Sequence, residues 1–240
     1  MTALTRSTAA FVGLGAVVLM ACVGAVLSRG SFTVWFAAGC FLTYGGVGAV
    51  IVARINAFHP YPGFGEANVV TLARLVLTSL FAGLAVETSV SPAALAPAVA
   101  WSFGATALVI LVLDGFDGMI ARGLNQVSPF GSRFDMETDA LQILVLSVIA
   151  YTLGKAGAWV LIGGFLRYIY IVAGWMWPAL ARPLPPSFRR KAICVIQSGA
   201  LVVLLAPIIV PPVSTVVGFV ALALLIFSFG RDVVWSLRAV

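Results

Sequence analysis

The sequence predicts an all-α integral membrane protein, because charged residues are scarce and long apolar runs follow one another. The chain has 240 residues, of which 62% are hydrophobic and 9% are charged. Soluble domains carry about 25% charged residues, so this chain has too little polar surface for a water-soluble fold. A membrane-spanning helix needs roughly 20 apolar residues. Runs of that kind predict about eight transmembrane helices, at about 8–28, 32–53, 67–88, 93–113, 134–153, 156–178, 192–210 and 213–230.

Proline and glycine mark the breaks between several of these runs, because neither favours the interior of a helix. Such breaks lie at 59–63 before the third run, at 183–186 before the seventh and at 211–212 before the eighth. The fourth run is predicted to continue as a helix past Asp114 toward Arg122. A cleaved signal peptide is an alternative for the first run, but the run is long for one, and we expect a retained helix.

Basic residues predict the orientation of the chain. If the N-terminus lies in the cytoplasm, the outer loops contain only Arg29 and Lys155, and every other loop or terminal basic residue falls on the inner side. Cytoplasmic loops are enriched in Lys and Arg. We therefore expect both termini and segment 113–141 to face the cytoplasm, in a bacterial inner membrane. The net charge of +6 then reflects topology and anionic lipid, with no nucleic-acid partner.

Carboxylates gather in segment 113–141. Five of the eight acidic residues lie there, namely Asp114, Asp117, Asp135, Glu137 and Asp139. Spacings of three and four put Asp114 with Asp117, and Asp135 with Asp139, on one helix face each. An antiparallel hairpin brings the four aspartates together, while Glu137 points away. Clustered carboxylate oxygens suit hard divalent cations such as Mg²⁺, Mn²⁺ or Ca²⁺, and two such ions fit a site that clamps a phosphoryl group.

The order of residues in this segment forms a longer motif. It reads Asp114-x2-Asp117-Gly118-x2-Ala121-Arg122-x8-Gly131-x3-Asp135-x3-Asp139. These eight positions over 26 residues resemble the motif of the CDP-alcohol phosphotransferases, integral membrane enzymes of phospholipid synthesis. A second pattern, Asn68-x2-Thr71-x2-Arg74, resembles the opening of that family's first core helix. The resemblance implies a six-helix catalytic core over 57–240 and an extra N-terminal helix pair over 1–56, to which we assign no role.

The resemblance also implies roles for individual residues. Asp114, Asp117 and Asp135 are metal ligands, and Asp139 is the general base and a further metal ligand. The expected nucleotide and substrate site comprises Gly118, Ala121, Arg122, Gly131, Asn68, Thr71 and Arg74. We expect Arg74 to face the cavity and to hold the motif carboxylates or a substrate phosphate, since an arginine inside a span is usually functional or paired.

The implied reaction transfers a phosphatidyl group from CDP-diacylglycerol to the hydroxyl of a small alcohol and releases CMP. Two divalent cations, Mg²⁺ or Mn²⁺, are the implied cofactors, membrane lipids surround the enzyme, and a homodimer is consistent with the family. A phosphorylated acceptor such as glycerol-3-phosphate is one hypothesis, and ordinary topology or anionic-lipid binding is the other reading of the same charges. The candidate acceptor residues are Arg133, Arg167, Arg189, Arg190 and Lys191.

Two other classes of membrane protein place carboxylates in or beside membrane helices. An ion transporter predicts acidic residues at mid-membrane depth, and an Asp-rich membrane prenyltransferase predicts a different carboxylate spacing. Outside the motif, Glu87 and Lys155 are expected at membrane interfaces, Asp232 in a solvated pair with Arg231, and His59 in a loop without a catalytic role.

Overall fold

The computed structural model of the chain describes residues 2–91, 95–123, 128–182, 184–185 and 187–238, and for residues 116–123 it describes the backbone alone. Within these ranges all the regular secondary structure is helical, with no β-strand. The α-helices are α1 (Ala3–Leu27), α2 (Val34–Phe58), α3 (Glu66–Val90), α4 (Pro97–Gly123), α5 (Pro129–Thr152), α6 (Val160–Met176), α7 (Phe188–Leu205) and α8 (Val213–Arg238), with a 3₁₀ turn at Pro178–Ala181.

The helices confirm an all-α integral membrane protein. Among the described residues, α1, α2, α3, α4 and α8 are each long and apolar enough to cross a membrane, and α6 is a shorter apolar helix. Helices of 25 residues, such as α1 and α2, are about 37 Å long at 1.5 Å per residue, which exceeds the roughly 30 Å hydrocarbon core. Large apolar side chains are exposed along them, Leu42 and Phe219 among others.

Each predicted apolar run lies on a helix, but three helices begin four or five residues earlier than their runs. The first begins at Ala3, the fifth at Pro129 and the seventh at Phe188, where the apolar runs begin at about 8, 134 and 192. In each case the first turns carry charged residues, so hydropathy places the start of the span too late although the backbone is already helical. Helix α4 continues to Gly123, as predicted.

The chain divides into two compact units. The first comprises Met1–Ala93 with Ala105–Gln142, and the second comprises Ala94–Gly104 with Ile143–Val240. Helices α4 and α5 therefore contribute residues to both units. In the first unit, α1, α2 and α3 pack on one another.

Helices α2 and α3 approach closely through glycines. A Cβ atom on Gly39 of α2 would lie 2.9 Å from both the Ala82 carbonyl oxygen and the Gly83 Cα of α3. Small residues at such crossings let two helix backbones come into contact, which is a common way of packing helices in membranes. The contact fixes the second turn of α2 against α3.

The beginning of α2 is held by Glu87 of α3. The Glu87 carboxylate accepts hydrogen bonds from the Thr33 amide (3.2 Å), the Thr33 hydroxyl (2.7 Å) and the Phe36 amide (3.1 Å). The first amides of a helix have no partner within the helix. A negative charge beside them is also stabilised by the positive end of the helix dipole. Glu87 is buried inside the protein near the end of α3, and its expected place at a membrane interface stays a prediction.

Helix α1 is tied to α2 at two levels. The Tyr44 hydroxyl donates to the Val12 carbonyl (2.8 Å). Near the other end of α2, the Asn56 amide donates to the Thr5 hydroxyl (2.7 Å) and its carbonyl accepts from the Thr2 hydroxyl (2.8 Å). The N-terminal pair is thus a hairpin, Ala3–Phe58, with fixed internal contacts.

In the second unit, Lys155 closes the end of α7. Its ammonium group donates to the carbonyls of Ile209 (2.6 Å) and Ala206 (3.2 Å), just beyond the last turn of that helix. Carbonyls at helix C-termini need donors, and a cation there is favourable. Burial lowers the pKa of Lys155. The residue expected at an interface therefore serves as a helix cap.

We predict that Gly39→Ala destabilises the protein, because the added Cβ meets backbone atoms of α3 that cannot move independently. The expected loss is about 1–3 kcal/mol, the usual cost of overpacking. Thermal unfolding of the detergent-solubilised protein measures it. Gly45→Ala, also on α2, is the matched control because nothing lies within 4 Å of its added Cβ. Equal stability of the two variants would contradict the proposed close contact.

Candidate active site

Arg74 of α3 lies at the centre of the acidic cluster. It is the largest fully buried side chain of the described residues, with 0% exposure. One guanidinium nitrogen donates to Asp135 Oδ1 at 2.6 Å, and another lies 2.8 Å from Asp114 Oδ1 and also donates to Asp139 Oδ1. The structure therefore brings together three helices, α3, α4 and α5, through one cation and three carboxylates.

The helical spacing of the carboxylates explains this convergence. Asp135 and Asp139 are four residues apart on α5 and share one face, while Asp114 lies on α4. One carboxylate oxygen from each lies within 4.8 Å of the others. Unit charges about 4 Å apart repel by about 4 kcal/mol at an effective dielectric constant near 20. Arg74 supplies one positive charge against three negative ones, so the cluster favours further cations.

The cluster fits divalent metal ions. Its donors are carboxylate oxygens, which Mg²⁺ and Mn²⁺ prefer over nitrogen or sulfur. The side chains of Asp114, Asp135 and Asp139 keep 23%, 37% and 23% of their surface exposed, so they are reachable from outside while Arg74 is enclosed. An open carboxylate face beside an enclosed cation can hold metal and the phosphates of a substrate at once.

Four motif residues on α4 lie outside the described side chains. They are Asp117, Gly118, Ala121 and Arg122. The backbone of α4 is helical through Gly123, so Asp117 follows Asp114 by about one turn. Their roles as a ligand and as a nucleotide site stay predictions.

Asn68 and Gly131 lie against each other where α3 meets the first turn of α5. A Cβ on Gly131 would be 2.9 Å from Asn68 Oδ1, so a side chain there would displace the Asn68 carboxamide. The Asn68 amide donates to the Phe64 carbonyl at 2.5 Å, and the Thr71 hydroxyl donates to the Ala67 carbonyl at 3.2 Å. Both polar side chains are buried. Both hydrogen bonds run to backbone carbonyls within or just before α3 itself, and binding of substrate by these three residues stays a prediction.

A buried hydrogen-bond chain at the start of α5 was missed by sequence reasoning. His59 Nδ1 lies 3.0 Å from Ser128 Oγ, and His59 Nε2 lies 2.9 Å from the Gly63 carbonyl. Ser128 Oγ also accepts from the Gly131 amide at 2.9 Å. Ser128 followed by Pro129 is a typical helix start, and this signal was present in the sequence. Nothing in the sequence pairs it with His59.

Two of the candidate acceptor residues share one aspartate in the second unit. Arg189 donates to the Ser228 carbonyl (3.0 Å), the Ser228 hydroxyl (2.8 Å) and Asp232 Oδ1 (2.7 Å). Arg190 reaches the same Asp232 oxygen at 3.5 Å and also donates to the Pro185 carbonyl. Asp232 is only 7% exposed. The expected solvated pair of Asp232 with Arg231 is therefore wrong, because Asp232 turns toward α7.

The other candidate acceptor residues have different surroundings. Arg133, in the first unit, is exposed, and its guanidinium carbon lies 5.2 Å from the centroid of the Phe58 ring, a cation–π contact. Arg167 on α6 is half-buried and Lys191 on α7 is exposed. The structure places these two with Arg189 and Arg190 in the second unit.

Comparison with known proteins points to one family. A family model described as CDP-alcohol phosphatidyltransferase matches residues 64–227. The match begins just before α3 and covers the acidic cluster, and the hairpin α1–α2 lies outside it. Searches of curated proteins and of solved structures found no match.

We predict that Arg74→Met destabilises the protein by about 2 kcal/mol. Removing one partner of a buried ion pair costs about 3–5 kcal/mol, and partial exposure of the carboxylates reduces that figure. Thermal unfolding in metal-free detergent solution measures the loss. Adding Asp135→Asn removes one of the repelling charges and should recover part of the stability. If the double variant is no more stable than Arg74→Met, the carboxylates do not repel as described.

Proposed function

Because the chain belongs to the CDP-alcohol phosphatidyltransferase family, whose members transfer phosphate-containing groups, we propose that it transfers a phosphatidyl group. The donor is CDP-diacylglycerol, the acceptor is the hydroxyl of a small alcohol, and CMP is released. The observation that carries the proposal is the convergence of Asp114, Asp135 and Asp139 on Arg74, within the residues that match the family.

Asp114, Asp117, Asp135 and Asp139 are the proposed ligands of two divalent cations, Mg²⁺ or Mn²⁺. The oxygen donors and the excess of negative charge beside Arg74 support this assignment. When bound, such ions neutralise a pyrophosphate and stabilise the charge that develops on its leaving oxygen. Arg74 holds two carboxylates of α5 and one of α4 in fixed positions, which keeps the ligand set preorganised.

Asp139 is the proposed general base. It takes the proton of the acceptor hydroxyl while that oxygen bonds to the lipid-side phosphorus. The bond from this phosphorus to the bridging oxygen breaks, and CMP leaves with the electron pair. The guanidinium of Arg74 donates to Asp139 Oδ1, which orients the carboxylate. Because a carboxylate has a second oxygen, Asp139 can still receive the proton.

The cytidine nucleotide is proposed to bind along Gly118, Ala121 and Arg122, with Arg122 near the pyrophosphate. Small residues on α4 let a ligand approach the helix backbone closely. Asn68, Thr71, Gly131 and Arg74 are proposed to complete the substrate site. The motif spacing supports this placement. Further support comes from the contact of Asn68 with Gly131, which lies about one helical turn before Asp135 on α5.

A phosphorylated acceptor, such as glycerol-3-phosphate, is proposed to bind basic residues. Arg189 and Arg190 share the single carboxylate of Asp232, so the pair keeps a net positive charge and has donors fixed in place. Arginines held in this way suit phosphate, which accepts several hydrogen bonds at once. Lys191 and Arg167 are proposed to add to this site. Arg133 stacks on Phe58, which makes it the weakest of the five candidates.

The proposed location is a bacterial inner membrane, with both termini and the active site on the cytoplasmic side. The distribution of basic residues supports it, since only Arg29 and Lys155 fall in loops assigned to the outside. Water-soluble acceptor and nucleotide need that side, while the lipid tails need the bilayer. A homodimer stays a prediction.

The activity is tested by CMP release from CDP-diacylglycerol with Mg²⁺ or Mn²⁺ and a panel of acceptor alcohols. We expect release that stops on chelation of the metal and returns when metal is added. Asp117→Asn and Asp139→Asn should each lower kcat by at least about 10³-fold, since removal of a base or ligand costs several kcal/mol of transition-state stabilisation.

Glu137→Gln is the matched control for those two variants. Glu137 lies in the same segment but outside the proposed ligand set, so its activity should stay close to that of the unmodified protein. Absence of CMP with every acceptor would refute the proposed function, and near-normal activity of Asp117→Asn would refute the ligand assignment.

The acceptor hypothesis has its own test. Arg190→Gln should raise KM for a phosphorylated acceptor about tenfold, equivalent to one charge-assisted hydrogen bond, without changing KM for CDP-diacylglycerol. Arg238→Gln, at the end of α8, is the control for a general loss of positive charge. An enzyme that uses serine, choline or free inositol but ignores glycerol-3-phosphate and inositol phosphate would overturn this hypothesis.

A further inference from the structure

We propose that His59, at the end of the hairpin α1–α2, is a positioning residue that holds the first turn of α5 and thereby sets Asp135 and Asp139 in place. The proposal rests on the proposed function for the role of those two carboxylates. It gives the hairpin, which lies outside the family match, a part in the reaction.

The hydrogen bonds around His59 assign each atom one role. Nε2 lies 2.9 Å from the Gly63 carbonyl, which only accepts, so Nε2 carries the proton. Nδ1 is then an acceptor, and the Ser128 hydroxyl donates a hydrogen bond to it at an Nδ1–Oγ distance of 3.0 Å. Ser128 Oγ in turn accepts from the Gly131 amide at 2.9 Å. The chain Gly131 → Ser128 → His59 → Gly63 is therefore directional, and each donor has one acceptor.

Ser128 is the residue through which His59 acts on α5. It precedes Pro129, the first residue of the helix, and its hydroxyl accepts from Gly131, which is the role of an N-cap. Its carbonyl accepts from the Ser132 amide at 3.0 Å. An N-cap hydroxyl can rotate among several partners, and the bond to His59 restricts that rotation. The first turn of α5 is thus fixed from outside the helix.

The fixed turn lies directly before the proposed ligands. From Gly131, Asp135 follows after four residues and Asp139 after eight, so all three lie along one face of α5. A helix transmits a tilt or rotation of its first turn to residues one and two turns further along. Small displacements of this kind matter at a metal site, where ligands must be held within about 0.5 Å.

His59 is enclosed and has aromatic rings as neighbours. His59 and Ser128 are 7% and 4% exposed. The rings of Tyr61 and Phe130 meet the imidazole edge-on, at centroid distances of 5.4 Å and 5.9 Å. Burial lowers the pKa of His59 below its usual 6.5, so the ring is neutral at pH 7, as the assigned tautomer requires.

A second contact joins the same two helix ends. Phe58, the last residue of α2, lies under the Arg133 guanidinium of α5 at 5.2 Å. Phe58, the last residue of the hairpin, and His59, which follows it, therefore hold the beginning of α5. The hairpin itself is fixed on α3 by the close contact of Gly39 with the backbone of α3. A rigid support is what a positioning residue needs.

The test compares three variants. His59→Phe keeps an aromatic ring and removes both hydrogen bonds, and His59→Gln restores a neutral donor and acceptor. Glu87→Gln weakens the contact of the same hairpin with α3 at the opposite end of α2, about 35 Å away along the helix. The Mn²⁺ concentration for half-maximal CMP release and the unfolding temperature are measured for each.

We expect His59→Phe to raise the half-maximal Mn²⁺ concentration about tenfold, the lower end of the loss seen when partners of metal ligands are removed. His59→Gln should return it to within about twofold. Glu87→Gln should lower the unfolding temperature without changing the Mn²⁺ dependence. An unchanged Mn²⁺ dependence in His59→Phe, or an equal shift in Glu87→Gln, would overturn the positioning role.

Hydrogen–deuterium exchange gives a readout that does not depend on activity. Amides of residues 130–133 should exchange faster in His59→Phe and in Ser128→Ala, and no faster still in the double variant, because both changes break one chain. Unchanged exchange in His59→Phe would overturn the proposal. If the unmodified protein releases no CMP, the proposed function fails, while the exchange measurement still decides whether His59 holds α5.

Discussion

The charge balance around Arg74 is the constraint on which the rest of the molecule depends. A chain with 9% charged residues places three carboxylates around one fully buried guanidinium. The ion pairs fix α3, α4 and α5 relative to one another in the first unit, and one positive charge leaves the cluster attractive to further cations. The same contacts thus stabilise the helix arrangement and create the proposed metal site, so stability and chemistry share residues.

The ends of helices impose a second constraint, because the first amides and the last carbonyls of a helix lack partners within it. Side chains that lie outside each helix supply those partners. Glu87 caps the start of α2, Ser128 caps the start of α5, and Lys155 caps the end of α7. In a protein with few polar residues, such caps link helices to one another. The hairpin α1–α2 is held in this way, and through His59 it reaches the turn that precedes Asp135.

Sequence patterns predicted the helices and much of the site, but not the long-range polar contacts. Residue spacing was enough to place Asp135 and Asp139 on one face, and an arginine within a span was enough to single out Arg74. The roles of Glu87, Asp232 and His59 depend on partners 54, 43 and 69 positions away. No local pattern encodes those distances. Hydropathy also misplaced the beginnings of α1, α5 and α7, whose first turns are helical and charged.

Direct measurement of metal binding tests the central claim, which is that the aspartates around Arg74 hold divalent cations. Purified protein with CDP-diacylglycerol is titrated with Mn²⁺, and bound ion is followed by electron paramagnetic resonance. We expect saturable binding of two ions per chain, weakened at least about tenfold by Asp114→Asn and unaffected by Glu137→Gln. Binding that is absent, or that is indifferent to Asp114→Asn, would contradict it.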